Sequence, residues 1–169
     1  VTKTKSGNQL QTAAELSGSQ TLAVPGHLAV DLGASGGRVI VGGLDDGQLK
    51  MAMVSRFAND PVRVRHNLMW NHLGLWHETG QGLRLAADQM KQAGQPIVSV
   101  GVDTWGVDYA FIDQHDQIVS PLRHYRDQRN HGMVDLAFQT MPRDQIFNQT
   151  GLQFMDINTL FQLIAAKRH

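Results

Sequence analysis

The apolar pattern of the chain begins at residue 27. His27 to Asp31 (HLAVD) reads as a buried strand, Arg38 to Leu44 (RVIVGGL) as a second and Lys50 to Phe57 (KMAMVSRF) as a third. Asp45-Asp46-Gly47 is a hairpin turn signal between the last two. The three runs lie too close together for crossovers, so antiparallel pairing is predicted. From Asn71 to Ala93 the period lengthens. Leu73, Trp76, Gly80, Leu83, Ala87 and Met90 recur three or four apart and predict a helical face, with Asn71 as N-cap and Gly94 as the stop. Gly74, Gly80 and Gly82 weaken that helix by about 1 kcal/mol each relative to alanine.

Ile97 to Asp103 (IVSVGVD) carries almost no charge and predicts a strand in the interior of a sheet. After the break Thr104-Trp105-Gly106, Val107 to Ile112 predicts another strand, then a turn at Asp113 to Asp116 and a short run, Gln117 to Val119. His131 to Met141, ended by Pro142, Arg143 to Asn148 and Asn158 to Lys167 read as helices. Three antiparallel strands, a helix, a central strand and further helices make an α/β layered domain with a mixed sheet.

Length and composition narrow this picture. The 169 residues suit one domain, or one domain with a tail. At 41% hydrophobic and 18% charged there is enough apolar material for a core. Fifteen basic residues balance fifteen acidic ones, so no electrostatic argument favours nucleic acid or an anionic membrane surface. No apolar run approaches the ~20 residues that span a bilayer. The absence of cysteine excludes disulfides, thiolate zinc sites and thiol catalysis, and fits a cytoplasmic protein. Residues 1–26 are rich in Ser, Thr, Gln, Gly and Lys, and are expected to form a flexible leader. His72 and His77, five apart, share no helical stripe, so a histidine metal site is not expected. Trp70, Trp76 and the methionines read as core or helix-packing residues.

VDLGASGGR, Val30 to Arg38, concentrates the candidate chemistry. A Walker A loop would place Lys-Ser/Thr after the last glycine, but Arg38-Val39 stands there. A Rossmann fingerprint opens a helix, yet the β-branched Val39-Ile40-Val41 follows. What remains is a glycine-rich turn between two strands. Its successive amides can form an anion nest, with Ser35 and Arg38 as further donors. Asp31 would repel a bare phosphate and suits one only with Mg²⁺ between them. The alternative is a tight turn whose glycines serve backbone geometry.

The segment Ala29 to Arg38 resembles the first phosphate-binding hairpin of the FGGY family of carbohydrate kinases. VGVDTWGVDYAFID (Val100 to Asp113), PLRHYRDQR (Pro121 to Arg129) and GLQFMDINTLFQL (Gly151 to Leu163) are similar to later blocks of that family, in its order, and most of all to its branch acting on L-rhamnulose. The resemblance implies an actin/hexokinase-like (ribonuclease H-like) α/β fold, a mixed sheet flanked by helices. Residues 27–169 would be an incomplete N-terminal lobe. It implies ATP and Mg²⁺ as cofactors and transfer of the γ-phosphoryl group to the 1-hydroxyl of L-rhamnulose.

By the same resemblance, Asp31, Ala34, Ser35, Gly36, Gly37 and Arg38 sit at the ATP phosphates, with Asp31 also on the metal side. Family members often carry a second serine where Gly36 stands; the backbone nest does not need it. Trp105, Gly106, Asp108 and Asn158 would face the sugar, Gly106 letting hydroxyls reach the main chain. Other readings stay open: Trp105 as a core anchor, Asp103 and Asp108 as caps on turn amides. Tyr125, Arg126, Asp127 and Arg129 read first as a structural ion-pair network and second as substrate positioning.

The catalytic base, an aspartate in this family, is expected beyond His169, as is the adenosine-binding lobe. The isolated chain is therefore expected to be inactive, with apolar surface that favours self-association. A non-enzymatic sugar- or phosphate-binding module, a kinase for another ketose and a partly folded fragment are the alternatives.

Overall fold

A computed structural model describes residues 22–168. Of the expected leader, residues 1–21 lie outside the described residues, whereas Leu22 is buried and Val24 packs beside it. The chain divides into two compact units, described separately below. The first holds 22–32, Gly37–Phe57 and Glu78–Asp103; the second holds Gly33–Gly36, Ala58–His77 and 104–168.

In the first unit, strands β1 (Gly26–Leu32), β2 (Gly36–Asp45), β3 (Gln48–Ala58) and β6 (Ile97–Thr104) form one sheet in the order β3-β2-β1-β6. β1 and β2 are antiparallel, in register from His27 opposite Gly42 to Leu32 opposite Gly37. The expected turn joins β2 to β3, with Asp46 and Gly47 both at positive φ, as a two-residue hairpin loop requires. Helix α1 (His72–Gln92) follows β5 (Asn67–Met69) and leads to β6, and within this unit its part from Glu78 onward packs on the sheet through Gly82, Ala86 and Met90. Leu28, Val30, Val39, Val41, Val54, Ala86 and Met90 form the core. Gly82 is there for contact: a Cβ would stand 2.4 Å from Ser55 Oγ and 2.6 Å from Val39 Cγ2.

Both ends of α1 follow the sequence. Asn71 Oδ1 accepts the Gly74 amide, and Gly94 adopts the left-handed conformation after the last turn. The predicted face is rotated, however. Gly82, Ala86 and Met90 are buried, while Leu73 and Trp76 are 72% and 80% exposed and Ala87 is also exposed. Helical spacing alone accommodates several faces, and the close approach at Gly82 selects this one. Trp76 is thus not a core residue, whereas Trp70 is buried.

Strand β6 is not interior. It lies at the edge of the described sheet with every residue exposed, including Val98, Val100 and Val102.

The second unit contains a short antiparallel pair that the sequence reading missed, β4 (Val62–Val64) with β5 (Asn67–Met69). A 3-10 turn (Gln128–Asn130) follows, then α2 (Met133–Thr140), α3 (Arg143–Thr150) and α4 (Thr159–Arg168). Met133, Ala137, Ile146, Phe161 and Ala165 form its core. The strand predicted over Val107 to Ile112 does not form. Val107 has φ +71°, a left-handed value that a β-branched residue adopts only when held there. Only an isolated bridge, Ile112 to Ile118, remains of that pairing. The turn predicted at 113–116 is present, with the Asp113 carboxylate accepting the amides of His115 and Gln117.

Candidate functional site

The glycine segment closes the β1–β2 hairpin. Gly33 donates to the Gly36 carbonyl at 2.9 Å, leaving Ala34 and Ser35 as the two loop residues. Two of its carbonyls, those of Gly33 and Ser35, are fastened by one residue, the buried Asn59. Its amide donates to the Ser35 oxygen at 3.3 Å, and its Nδ2 to the Gly33 oxygen at 3.0 Å. Among the described residues the amides of Ala34 and Ser35 donate to nothing. Unsatisfied amides beside carbonyls engaged at Gly33 and Ser35 offer the polarity an anion needs.

At the base of the hairpin, Arg38 grips Asp31. Nε lies 2.7 Å and Nη2 2.6 Å from Oδ2, with both side chains partly exposed. The Asp31 Oδ1 remains available. Among the described residues no cluster of three or more potential metal ligands occurs. One carboxylate suits Mg²⁺, which keeps several waters and completes its shell with phosphate oxygens.

The glycines differ in what they do. None of Gly33, Gly36 and Gly37 has positive φ. A Cβ on Gly37 would stand 2.3 Å from Phe57 Cε2, so this glycine makes room for a ring on β3. Its own packing explains it without a ligand.

In the second unit, Trp105 and Asp108 come together around Trp70. The Asp108 Oδ2 accepts the indole N–H of Trp70 at 2.7 Å and that of Trp105 at 2.8 Å. The two indoles lie 4.4 Å apart between centroids. Trp70 also packs on His124, which stacks on Tyr125. The N–H of Trp105 is therefore committed within the protein, and its ring is what it can offer a ligand. Asp108 caps indoles rather than turn amides.

The turn between them is held from α4. Thr159 Oγ1 and Gln162 Nε2 donate to the Val107 carbonyl at 2.6 and 3.0 Å. Gln162, wholly buried, also reaches Asp108 Oδ1 at 3.4 Å and the Ile157 carbonyl. These bonds over-determine the strained φ of Val107. Gly106, one residue earlier, is exposed, has no positive φ, and a Cβ there would meet nothing within 4 Å. Neither dihedral nor packing calls for glycine at this place.

Asn158 is buried just before α4. Its Nδ2 donates to the Gln153 carbonyl and its own carbonyl accepts the amides of Phe161 and Gln162. Its Oδ1 takes no hydrogen bond among the described residues.

Asp127, also buried, accepts the amides of Leu68 and Arg129, with Arg123 Nη1 3.6 Å away. Arg126 lies over the Tyr125 ring. The cluster is thus backbone-capping, with Arg123, not Arg126 or Arg129, beside the carboxylate. Burial holds the His124 imidazole below its ordinary pKa of 6.5. Asp108 opposes that shift, Arg126 adds to it and Asp127 opposes it. The Nδ1 of His124 accepts the Arg126 amide, a bond only the neutral ring can make.

Sequence reasoning missed Asn59, Trp70, Thr159 and Gln162. Each acts at a distance of 26 to 55 residues, which no local pattern displays.

The fold is that of sugar kinases. The ligand-bound xylulose kinase from Lactobacillus acidophilus superposes with a TM-score of 0.68 at 12% identity, over 85% of this chain and 28% of that one. A Plasmodium falciparum glycerol kinase with ADP gives 0.68 at 10% identity, over 86% and 29%. The N-terminal domain of the FGGY family of carbohydrate kinases matches residues 27–169, and the chain belongs to that family. Among curated proteins, the rhamnulokinase of Oceanobacillus iheyensis is 36% identical over 141 residues, 83% of this chain and 29% of that protein. The rhamnulokinase of Bacillus subtilis is 34% identical over 142 residues, 84% of this chain and 28% of that protein. The chain spans less than a third of the length of these relatives.

Proposed function

We propose that this chain carries the phosphate hairpin and sugar-facing turn of an ATP-dependent kinase acting on the 1-hydroxyl of L-rhamnulose. The observation that carries the reading is the pair of unfastened amides at Ala34 and Ser35, in a turn whose Gly33 and Ser35 carbonyls are held by Asn59. These amides and Arg38 would bind phosphate oxygens, and Asp31 would hold Mg²⁺ through its remaining oxygen. Bound there, ATP supplies the phosphoryl group and Mg²⁺ spreads the charge of its phosphates. On the sugar side, Gly106 admits hydroxyls to the main chain, the Trp105 ring forms an apolar wall and Asn158 Oδ1 accepts a hydroxyl. Asp108 orients Trp105, with capacity left on Oδ1 for one more donor.

The choice of L-rhamnulose rests on the 36% identity to a rhamnulokinase, against 10–16% to the xylulose and glycerol kinases of known structure. The test is an amide-resolved NMR titration. Mg·ATP is expected to shift the Ala34 and Ser35 resonances. L-rhamnulose is expected to shift Gly106 and to bind more tightly than xylulose, gluconate or glycerol. Unmoved hairpin resonances at saturating Mg·ATP contradict the phosphate assignment. Tighter binding of another sugar contradicts the substrate assignment alone.

A further inference from the structure

Apart from the hairpin and the Gly106 turn, two guanidinium groups lack the counter-charge their burial calls for. Arg129 is half-buried, and among the described residues no carboxylate lies within ion-pair distance of it. Its side chain has one partner there, the Tyr109 hydroxyl at 3.4 Å, and its Nε is buried without any. Arg123, three-quarters buried, shares the single carboxylate Asp127 at 3.6 Å, beyond hydrogen-bond reach, so its Nη1 is also unpartnered. That carboxylate is already occupied by two backbone amides. Two positive charges thus face one negative one. Desolvated charge of this kind is costly until it is neutralised and hydrogen-bonded.

Both arginines line the same cavity. It has a volume of about 180 Å³ and is walled by Tyr109, Phe111, Ser120, Pro121 and Ala166 as well. Ligand pockets for drug-sized molecules run from roughly 300 Å³ upwards, so this space suits a small ion and not a nucleotide. Its donors are two planar guanidinium forks with the Ser120 hydroxyl, the Tyr109 O–H being given to the Gln162 carbonyl, and guanidinium forks match the oxygens of phosphate or carboxylate. We propose that the cavity between Arg123 and Arg129 is a binding site for a small oxyanion, a phosphate group or a short carboxylate. The assignment stands independently of the kinase reading, because none of its residues belongs to the hairpin or the sugar-facing turn.

The test is calorimetric titration of the full chain with inorganic phosphate, and in parallel with acetate and succinate. Saturable binding is expected with at least one of them, and their ranking separates phosphate from carboxylate. Arg129→Gln should weaken binding about ten- to hundredfold, the worth of a charge-assisted hydrogen bond. Arg129→Lys should recover part of it. Arg63→Gln, at an exposed position of β4, should leave it unchanged, so the loss is not the general effect of removing a cation. Arg129 and Arg123 should also be protected by the bound anion against phenylglyoxal in the unmutated chain, a readout that needs no variant to fold. Equal labelling with and without anion, no saturable binding, or binding lost in Arg63→Gln but kept in Arg129→Gln would overturn the proposal.

Discussion

Replacing Asp108 with alanine removes the acceptor shared by two indoles. Trp70 is buried, so its N–H would find no water, whereas Trp105 is half-buried and can be partly resolvated. A hydrogen bond to a charged acceptor contributes about 1.5–3 kcal/mol, and a buried donor left unpaired costs about as much again as its desolvation. The two bonds share one oxygen and are not additive. The expected loss is therefore about 2–4 kcal/mol, a large part of a marginal domain stability. Asp108→Asn should cost less. Its amide oxygen can still accept both indoles, but its NH₂ would then face the Gln162 Nε2, donor against donor. Urea unfolding followed by tryptophan emission is the assay, with a slope of about 1–3 kcal/mol/M turning the loss into a midpoint shift near 1–3 M. In a Trp70→Phe background the Asp108→Ala effect should shrink, since the buried donor is gone. A loss below about 0.5 kcal/mol, or an unchanged effect in that background, refutes the reasoning.

Other consequences are equally open to measurement. Gly37→Ala should cost about 1–3 kcal/mol by overpacking against Phe57, and Phe57→Leu should recover part of it; an unchanged melting temperature contradicts the packing role. The folded pKa of His124 lies below 6.5, so the unfolded chain binds the proton first. Its contribution to stability is fully present above pH 6.5 and is lost as pH falls through the folded value. His124→Gln should flatten the fall in stability between pH ~7 and ~5; an identical slope removes the assignment. Val98, Val100 and Val102, 58%, 54% and 66% exposed, form an apolar row on an edge strand. Sedimentation velocity should show concentration-dependent association that Val100→Glu suppresses, and a monomer at all concentrations would contradict this.

Local chemistry made much of the first unit legible. The β1–β2–β3 succession, the Asp46-Gly47 turn and both ends of α1 follow from short-range signals: alternation, an Asx cap and positive-φ residues. What failed was whatever depends on partners distant in sequence. The side of α1 that packs was set by the close approach at Gly82, where a Cβ would stand 2.4 Å from Ser55 Oγ, not by which apolar residues share its spacing. Ile97 to Asp103, with one charge in seven residues, has the composition of an interior strand, but composition does not say what lies beside it. Val107 to Ile112 has strand composition, yet Thr159 and Gln162 hold Val107 in a left-handed turn. In the site, the hairpin could be read from its glycines, but not the separate duties of those glycines. Gly37 accommodates Phe57, while the amides that donate to nothing among the described residues belong to Ala34 and Ser35, between carbonyls held by Asn59.

Gly106 gives the sharpest test, since neither backbone angle nor packing requires a glycine there. The measurement is calorimetric titration of L-rhamnulose into the chain and its Gly106→Ala variant, with thermal melts of both. Stability should change by no more than about 0.5 kcal/mol while sugar affinity falls tenfold or more. Equal affinity in the two proteins, or no sugar binding by either, would contradict the account.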